Sequence, residues 1–221
     1  MRIYVIAAAW MLLAPHQPPD SADVRVSGGE LDRAIDTAAC DAALVEEAVF
    51  AAANKARAAR NLNPLLPHPV LSRSARKTSL EQARNRTLSH TSRDPERRHL
   101  QDRLRKEGIR LINVTVGENL GVDYILRIAD RPFYMDSTRV PPAPVNAETL
   151  NPIAPFTYRQ FGETMVDHWL NSPTHRENLL NPRFEWMGVG AVSGLYQDFD
   201  AVYVTQHFLG RIHATEKRPA R

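Results

Sequence analysis

Apolar residues recur at helical spacing in the first half of the chain and alternate in the second. Val45, Val49, Ala52, Ala56 and Ala59 fall three to four apart, which predicts a helix from Asp41, its N-cap, to about Arg60. Three prolines in Asn61–Pro69 predict a turn. A second helix then carries Leu71, Ala75, Thr78, Gln82 and Ala83 on one side and ends near Leu88, just before His90. Asp94, Pro95 and Glu96 supply a cap, a first-turn proline and a first-turn acid for a charged helix through Glu107, and Gly108 stops it.

Ile109–Val116 is rich in β-branched residues and alternates, which predicts a strand running into Gly117-Glu118-Asn119-Leu120-Gly121. Asp130–Pro155 holds six of the chain's sixteen prolines and little periodic apolar content, and reads as an irregular insertion. A further helix starts at Thr157, with Phe161, Met165, His168 and Trp169 on one side, and stops at Asn171-Ser172-Pro173. Met187–Val192 and Val202–Leu209 predict two closing strands with a turn around Gly194. Helices mostly preceding strands indicate an α+β layered fold.

Composition narrows the class. The 221 residues suit one domain with appendages, and 43% hydrophobic with 24% charged content is that of an ordinary folded protein. Twenty-eight basic residues against 25 acidic ones, interleaved, give a net charge of +3 without the basic stripe that nucleic-acid binding needs. The single cysteine, Cys40, excludes an internal disulfide and has no activating neighbour.

Met1–Ala14 has a basic start and an apolar run, Ile3–Ala14, that is too short to span a bilayer; a span takes about 20 residues. It matches the pattern of an export signal, and no small-x-small pair marks a clear cleavage site. The expected organisation is a signal or N-terminal anchor over 1–22, a linker over 23–40, a domain over 41–212 with the insertion at 130–155, and a basic tail over 213–221. Membrane contact is expected only through the N-terminal segment, if it is retained.

Several strings together resemble the CAP superfamily (cysteine-rich secretory proteins, antigen 5 and pathogenesis-related proteins) in its bacterial secreted, SCP-domain form. They are Asn54-x-x-Arg57 with Leu71-x-x-x-Ala75, Ser89-His90, Gly117-Glu118-Asn119-Leu120, Trp169 through Pro182, Met187-Gly188-Val189-Gly190, and Tyr203 through Phe208. The resemblance implies an α-β-α sandwich with a three- or four-stranded antiparallel sheet between helical layers, in an exported protein. It also implies a cleft lined by His90, His175 and Glu118. Asn119 and Ser172 are secondary candidates, as is His207, which alternates with Gln206 and Phe208 so that one of the pair faces the polar side of the sheet. Many eukaryotic members carry a second glutamate where this chain has Ser172. Some relatives hold metal in the cleft, and some are associated with sterol or lipid binding.

Three functional readings follow. The first is a non-catalytic protein that presents the cleft to an apolar, lipid-like ligand or a cell-surface component. In the second, His90, His175 and Glu118 hold a divalent cation such as zinc and activate water for hydrolysis. The third is a cell-surface interaction module acting through the 130–155 insertion. No His-Glu-x-x-His string supports a zincin, and Ser172 with His175 lacks the strained elbow of a nucleophilic serine. Each cleft residue also has a plain structural use: His90 capping the preceding helix, Glu118 fixing a loop, and His175 filling a turn. Trp169, Trp186 and Phe208 read as core aromatics, and His168 as a satisfied core histidine.

Overall fold

The computed structural model describes residues 28–128, 132–140 and 142–211; the N-terminal signal or anchor and the basic tail lie outside them. A short helix α1 (Gly28–Leu31) precedes α2 (Ala42–Ala58), whose N-cap Asp41 accepts hydrogen bonds from the Ala43 and Leu44 amides. The predicted stripe is the buried one: Val45, Val49, Ala52 and Ala56 all face the interior. The segment expected as a linker contributes to the core, since Leu31 and Ile35 are buried beside α2 and the later helix. The proline-rich turn contains a two-residue strand β1 (Leu66–Pro67), too short to show a period.

Helix α3 (Pro69–Asn85) has His68 as N-cap and ends at Arg86, whose left-handed φ of 49° closes the last turn. The charged stretch that follows divides into a single 3-10 turn (Pro95–Arg97) and α4 (Leu100–Lys106), broken by extended backbone at His99. Strand β2 (Val114–Tyr124) starts later than predicted and takes in the whole Gly117–Gly121 string, so Glu118 is a strand residue and not a loop residue. Within the insertion, β3 (Phe133–Asp136) and β4 (Ala143–Asn146) form an antiparallel ribbon where irregular structure was expected; its prolines left no alternation to read. Helix α5 (Tyr158–Asn171) starts in a Thr157–Gln160 capping box, and α6 (Pro173–Leu179) follows at once. The closing strands β5 (Trp186–Tyr196) and β6 (Phe199–Arg211) turn at Gln197 and Asp198, both at positive φ, and not at Gly194.

The main sheet has the order β1-β5-β6-β2. The three long strands are antiparallel, and β1 pairs parallel to β5, so the sheet is mixed where a purely antiparallel one was expected. Register sorts the side chains between two helical layers. Residues Gly188, His207 and Glu118 lie opposite one another and face α3 and α4, with Leu71, Leu100, Leu104, Val116 and Leu209 as their apolar neighbours. The other face packs Met187, Val204 and Phe208 against α2, α5 and α6 in the larger core. On the first face a Cβ at Gly188 or Gly190 would lie 2.2 or 2.1 Å from a backbone nitrogen of α3. Only glycine lets helix and strand approach so closely. The result is the α-β-α sandwich expected from the sequence, with β2 at the edge of the main sheet.

Candidate functional site

The site forms where the two helical layers meet across the β2 edge. Glu118 and Asn119 are consecutive strand residues, so their side chains leave on opposite faces. Glu118 points into the α3/α4 layer, and Asn119 into the layer of α5 and α6. His90 arrives from the loop after α3 and His175 from α6, and their ring centroids stand 6.5 Å apart. Both histidines are half-buried.

Glu118 is the centre of the arrangement. Its side chain is 2% exposed, while that of His90 is 41% exposed, so His90 carries the connection outward to solvent. Glu118 Oε1 lies 2.8 Å from His90 Nδ1. Oε2 lies 2.5 Å from an Arg103 Nη and 2.9 Å from His207 Nε2. Burial alone would raise the Glu118 carboxyl, but the Arg103 charge and the hydrogen bonds from His207 and His90 outweigh it and hold the group well below its usual range. An ionised carboxylate only accepts, so His90 donates through Nδ1 and His207 through Nε2. That leaves Nε2 as the free ring nitrogen of His90.

His207 is completely buried, and burial pushes its imidazole toward the neutral form despite the pull of Glu118. Its Nδ1 is buried with no hydrogen-bond partner. His175 is also lowered, first by burial and then by the charge of His90. Two neutral-leaning imidazoles and a fully paired carboxylate therefore form a site with little net negative charge.

The support around His90 is extensive. Gln82 on α3 receives the Ser89 amide at 2.7 Å and donates to the Ser89 carbonyl at 3.0 Å. The second Nη of Arg103 lies 3.4 Å from the carbonyls of His90 and Arg97. On the other side, Asn119 Nδ2 donates to the His175 carbonyl and to Gln206, both at 3.2 Å. Asn178 Nδ2 in turn donates to the Glu118 carbonyl and to Asn119 Oδ1, both at 3.0 Å. This network spans both layers and ties the two histidine-bearing segments to one strand edge.

His90 thus stands beside His175 and on Glu118, with His207 and Asn119 beneath them. Glu118 spends its carboxylate on side chains and leaves only its backbone carbonyl to Asn178, so the loop-fixing role does not hold. His90 bonds Glu118 and does not cap α3. Ser172 is the N-cap of α6 but makes no side-chain cap bond. His168 is half-exposed and lies 3.4 Å from Asp123, not in the core. Sequence reasoning missed Arg103, Gln82 and Asn178. The sequence hinted only that Arg103 is buried, since it falls between Leu100 and Leu104 on the helix; the structure leaves it 1% exposed.

The expected three-ligand metal set of His90, His175 and Glu118 does not fit. Both carboxylate oxygens of Glu118 are already engaged by protein donors, and among the described residues no group of three or more His, Cys, Asp or Glu side chains is placed to hold an ion. Tyr203 and Phe208 of the last strand are fully buried and belong to the interior. A shallow hollow of about 340 Å³, lined by Ala42, Ala43, Leu80, Ala191 and Val192 with Glu46, Arg76 and Lys77, lies elsewhere, between α2, α3 and β5.

The model of the cysteine-rich secretory protein family, CAP, matches residues 50–208, nearly three-quarters of the chain. The chain belongs to the CAP family. The matched stretch of this CAP domain contains every residue of the His90–Glu118–His175 site. Among solved structures it is similar to an extracellular SCP-domain protein from Bacillus anthracis, at 23% identity over 77% of this chain and 41% of that one, with a TM-score of 0.49. It is also similar to an outer surface protein of Borrelia burgdorferi, at 20% identity over 76% of this chain and 92% of that one, with a TM-score of 0.44. A third is a cysteine-rich secretory protein from Staphylococcus aureus, at 19% identity over 77% and 40%, with a TM-score of 0.46. The chain spans well under half the length of the Bacillus and Staphylococcus proteins. No curated protein matches it. No helix among the described residues is long and apolar enough to cross a membrane.

Proposed function

We propose that this CAP domain is an exported, non-catalytic binding module whose cleft captures a ligand through the ring edges of His90 and His175. The observation that carries this reading is the 2.8 Å contact from Glu118 to His90 Nδ1, which fixes one imidazole in a defined tautomer 6.5 Å from a second. Such a pair offers a ligand the unengaged Nε2 edge of His90 with a second imidazole beside it. A hydrolytic role would need a nucleophile or a metal-activated water, and the charge on Glu118 is already balanced by Arg103. Export is supported by the N-terminal basic start and apolar run.

The test is extraction of bound small molecules from the purified protein, followed by mass spectrometry. A compound held by the wild type and lost from the His90→Ala/His175→Ala double variant is the expected result; identical extracts from both would refute the reading. Equilibrium dialysis with zinc on the same pair separates the hydrolase alternative. Stoichiometric uptake that vanishes in the double variant would reinstate it.

A further inference from the structure

We infer that the β3–β4 ribbon is a second contact with a lipid bilayer, one that seats this end of the domain against the membrane surface. The inference stands apart from the cleft reading and uses a different part of the molecule. Four of the five most exposed large hydrophobic side chains among the described residues are Val140 at 97%, Leu150 at 67%, Tyr134 at 61% and Met135 at 47%; the other is Leu66 at 55%, on β1. Those four lie in one seventeen-residue stretch on the ribbon and its flanking turns. Scattered apolar residues at a surface need no explanation, but a projecting ribbon with this concentration does.

The ribbon is anchored at its root, so its tip is presented and not merely loose. Phe133 packs edge-on against Phe199 with centroids 5.5 Å apart, and the Arg127 amide donates to the Ala154 carbonyl. The only charged residues described between Phe133 and Asn146 are Asp136 and Arg139, and they pair with each other at 3.1 Å. Contact through the ribbon's tip therefore brings no isolated charge toward the hydrocarbon, while the exposed Glu148 follows the root of the ribbon, two residues before Leu150. Tyr134 and Met135 leave the ribbon on opposite faces, so both meet lipid when the tip with Val140 enters first, with the amphipathic ring at the headgroup boundary.

The course of the chain argues for lipid as the occupant. Ile35 donates its amide to the Phe156 carbonyl at 2.8 Å, and Phe156 donates to Ile125 at 2.9 Å, so the N-terminal segment joins the domain beside the two stems of the insertion. The apolar run Ile3–Ala14 is separated from Gly28 by thirteen residues, a reach of at most about 45 Å. A retained N-terminal segment in a bilayer would hold the ribbon's end of the domain within that distance of the surface. At the same end the exposed Arg33 and Arg127 guanidiniums stack on Tyr158 and Phe156, where they can meet lipid phosphates.

The experiment uses the full chain with unilamellar vesicles of phosphatidylcholine and phosphatidylglycerol. It follows hydrogen exchange of residues 133–146 together with partitioning by sedimentation. Several-fold slower exchange across the ribbon on vesicles is expected, with the His90 and His175 segments unchanged. The triple variant Tyr134→Thr/Met135→Thr/Val140→Ser should partition about tenfold more weakly, the loss expected for removing a few partly buried apolar side chains. A thermal midpoint matching the wild type shows that the variant still folds. Ribbon exchange that is the same with and without vesicles, equal partitioning of variant and wild type, or no vesicle binding by the full chain would each overturn the inference. None of these outcomes bears on the cleft.

Discussion

Replacing Arg103 with leucine is the most direct test of how the site is held. The Arg103 and Glu118 side chains are 1% and 2% exposed, and their closest approach is 2.5 Å. Removing the cation leaves a carboxylate in a dry environment with only two imidazole donors. Breaking a buried pair on one side costs about 3–5 kcal/mol, a large part of the roughly 5–15 kcal/mol that a domain has in total. Urea unfolding followed by circular dichroism should show that loss. Glu118→Gln in the Arg103→Leu background removes the stranded charge, so the double variant should be more stable than the sum of the two single losses implies. The acid limb gives an independent check. Because the folded Glu118 carboxyl is held below its usual value near 4.5, its stabilisation is present above that pH and lost as pH falls through the folded value. The gap between wild type and Glu118→Gln should therefore shrink from pH 5 to pH 3. An Arg103→Leu cost below about 1 kcal/mol, in the range of an exposed ion pair, would refute the claim that this charge pair organises the site.

Other predictions address separate features. His207 is buried and its folded value lies below 6.5, so the folded state takes up protons less readily than the unfolded one and stability falls as pH drops below about 6.5. A neutral replacement, His207→Asn, should flatten that slope in denaturant titrations between pH 7 and 5; an unchanged slope would assign it to other groups. Gly190→Ala should destabilise by at least about 1–3 kcal/mol by pushing α3 off the sheet, and a thermal midpoint unchanged from wild type would show that the close approach is dispensable. Burial, and then the charge of Asp41, push the Cys40 thiol up to about 11, so iodoacetamide at pH 8 should label it slowly in native protein and quickly in urea. Equal rates in the two states would contradict a protected thiol.

Much of the scaffold was legible because it depends on short-range chemistry. Asp41 and Thr157 announce their helices through side chains that satisfy amides a few residues away. The stripe from Val45 to Ala56 states which face of α2 is buried. The family strings picked out His90, Glu118 and His175, which the fold brings to one strand edge, and alternation in the last strand placed either Gln206 or His207 near the polar side. The turn at Gln197–Asp198 was hidden because it uses two non-glycine residues at positive φ, where Gly194 offered the more obvious signal. The ribbon was hidden because a two-stranded pairing rests on partners and not on local pattern.

What the tertiary structure alone decided is the meaning of those side chains. Nothing in the local sequence of Arg103, within a charged helix, says that it neutralises a carboxylate fifteen residues later on a strand edge. Nor does spacing show that both oxygens of Glu118 are consumed, which turns an apparent metal ligand into the fixed support of His90. Order along the chain determined which chemical groups were available and which helices and strands would carry them. Folding determined their partners, because burial between two layers removes water as a competitor and leaves each charge and lone pair to be matched by whatever side chain the packing brings beside it.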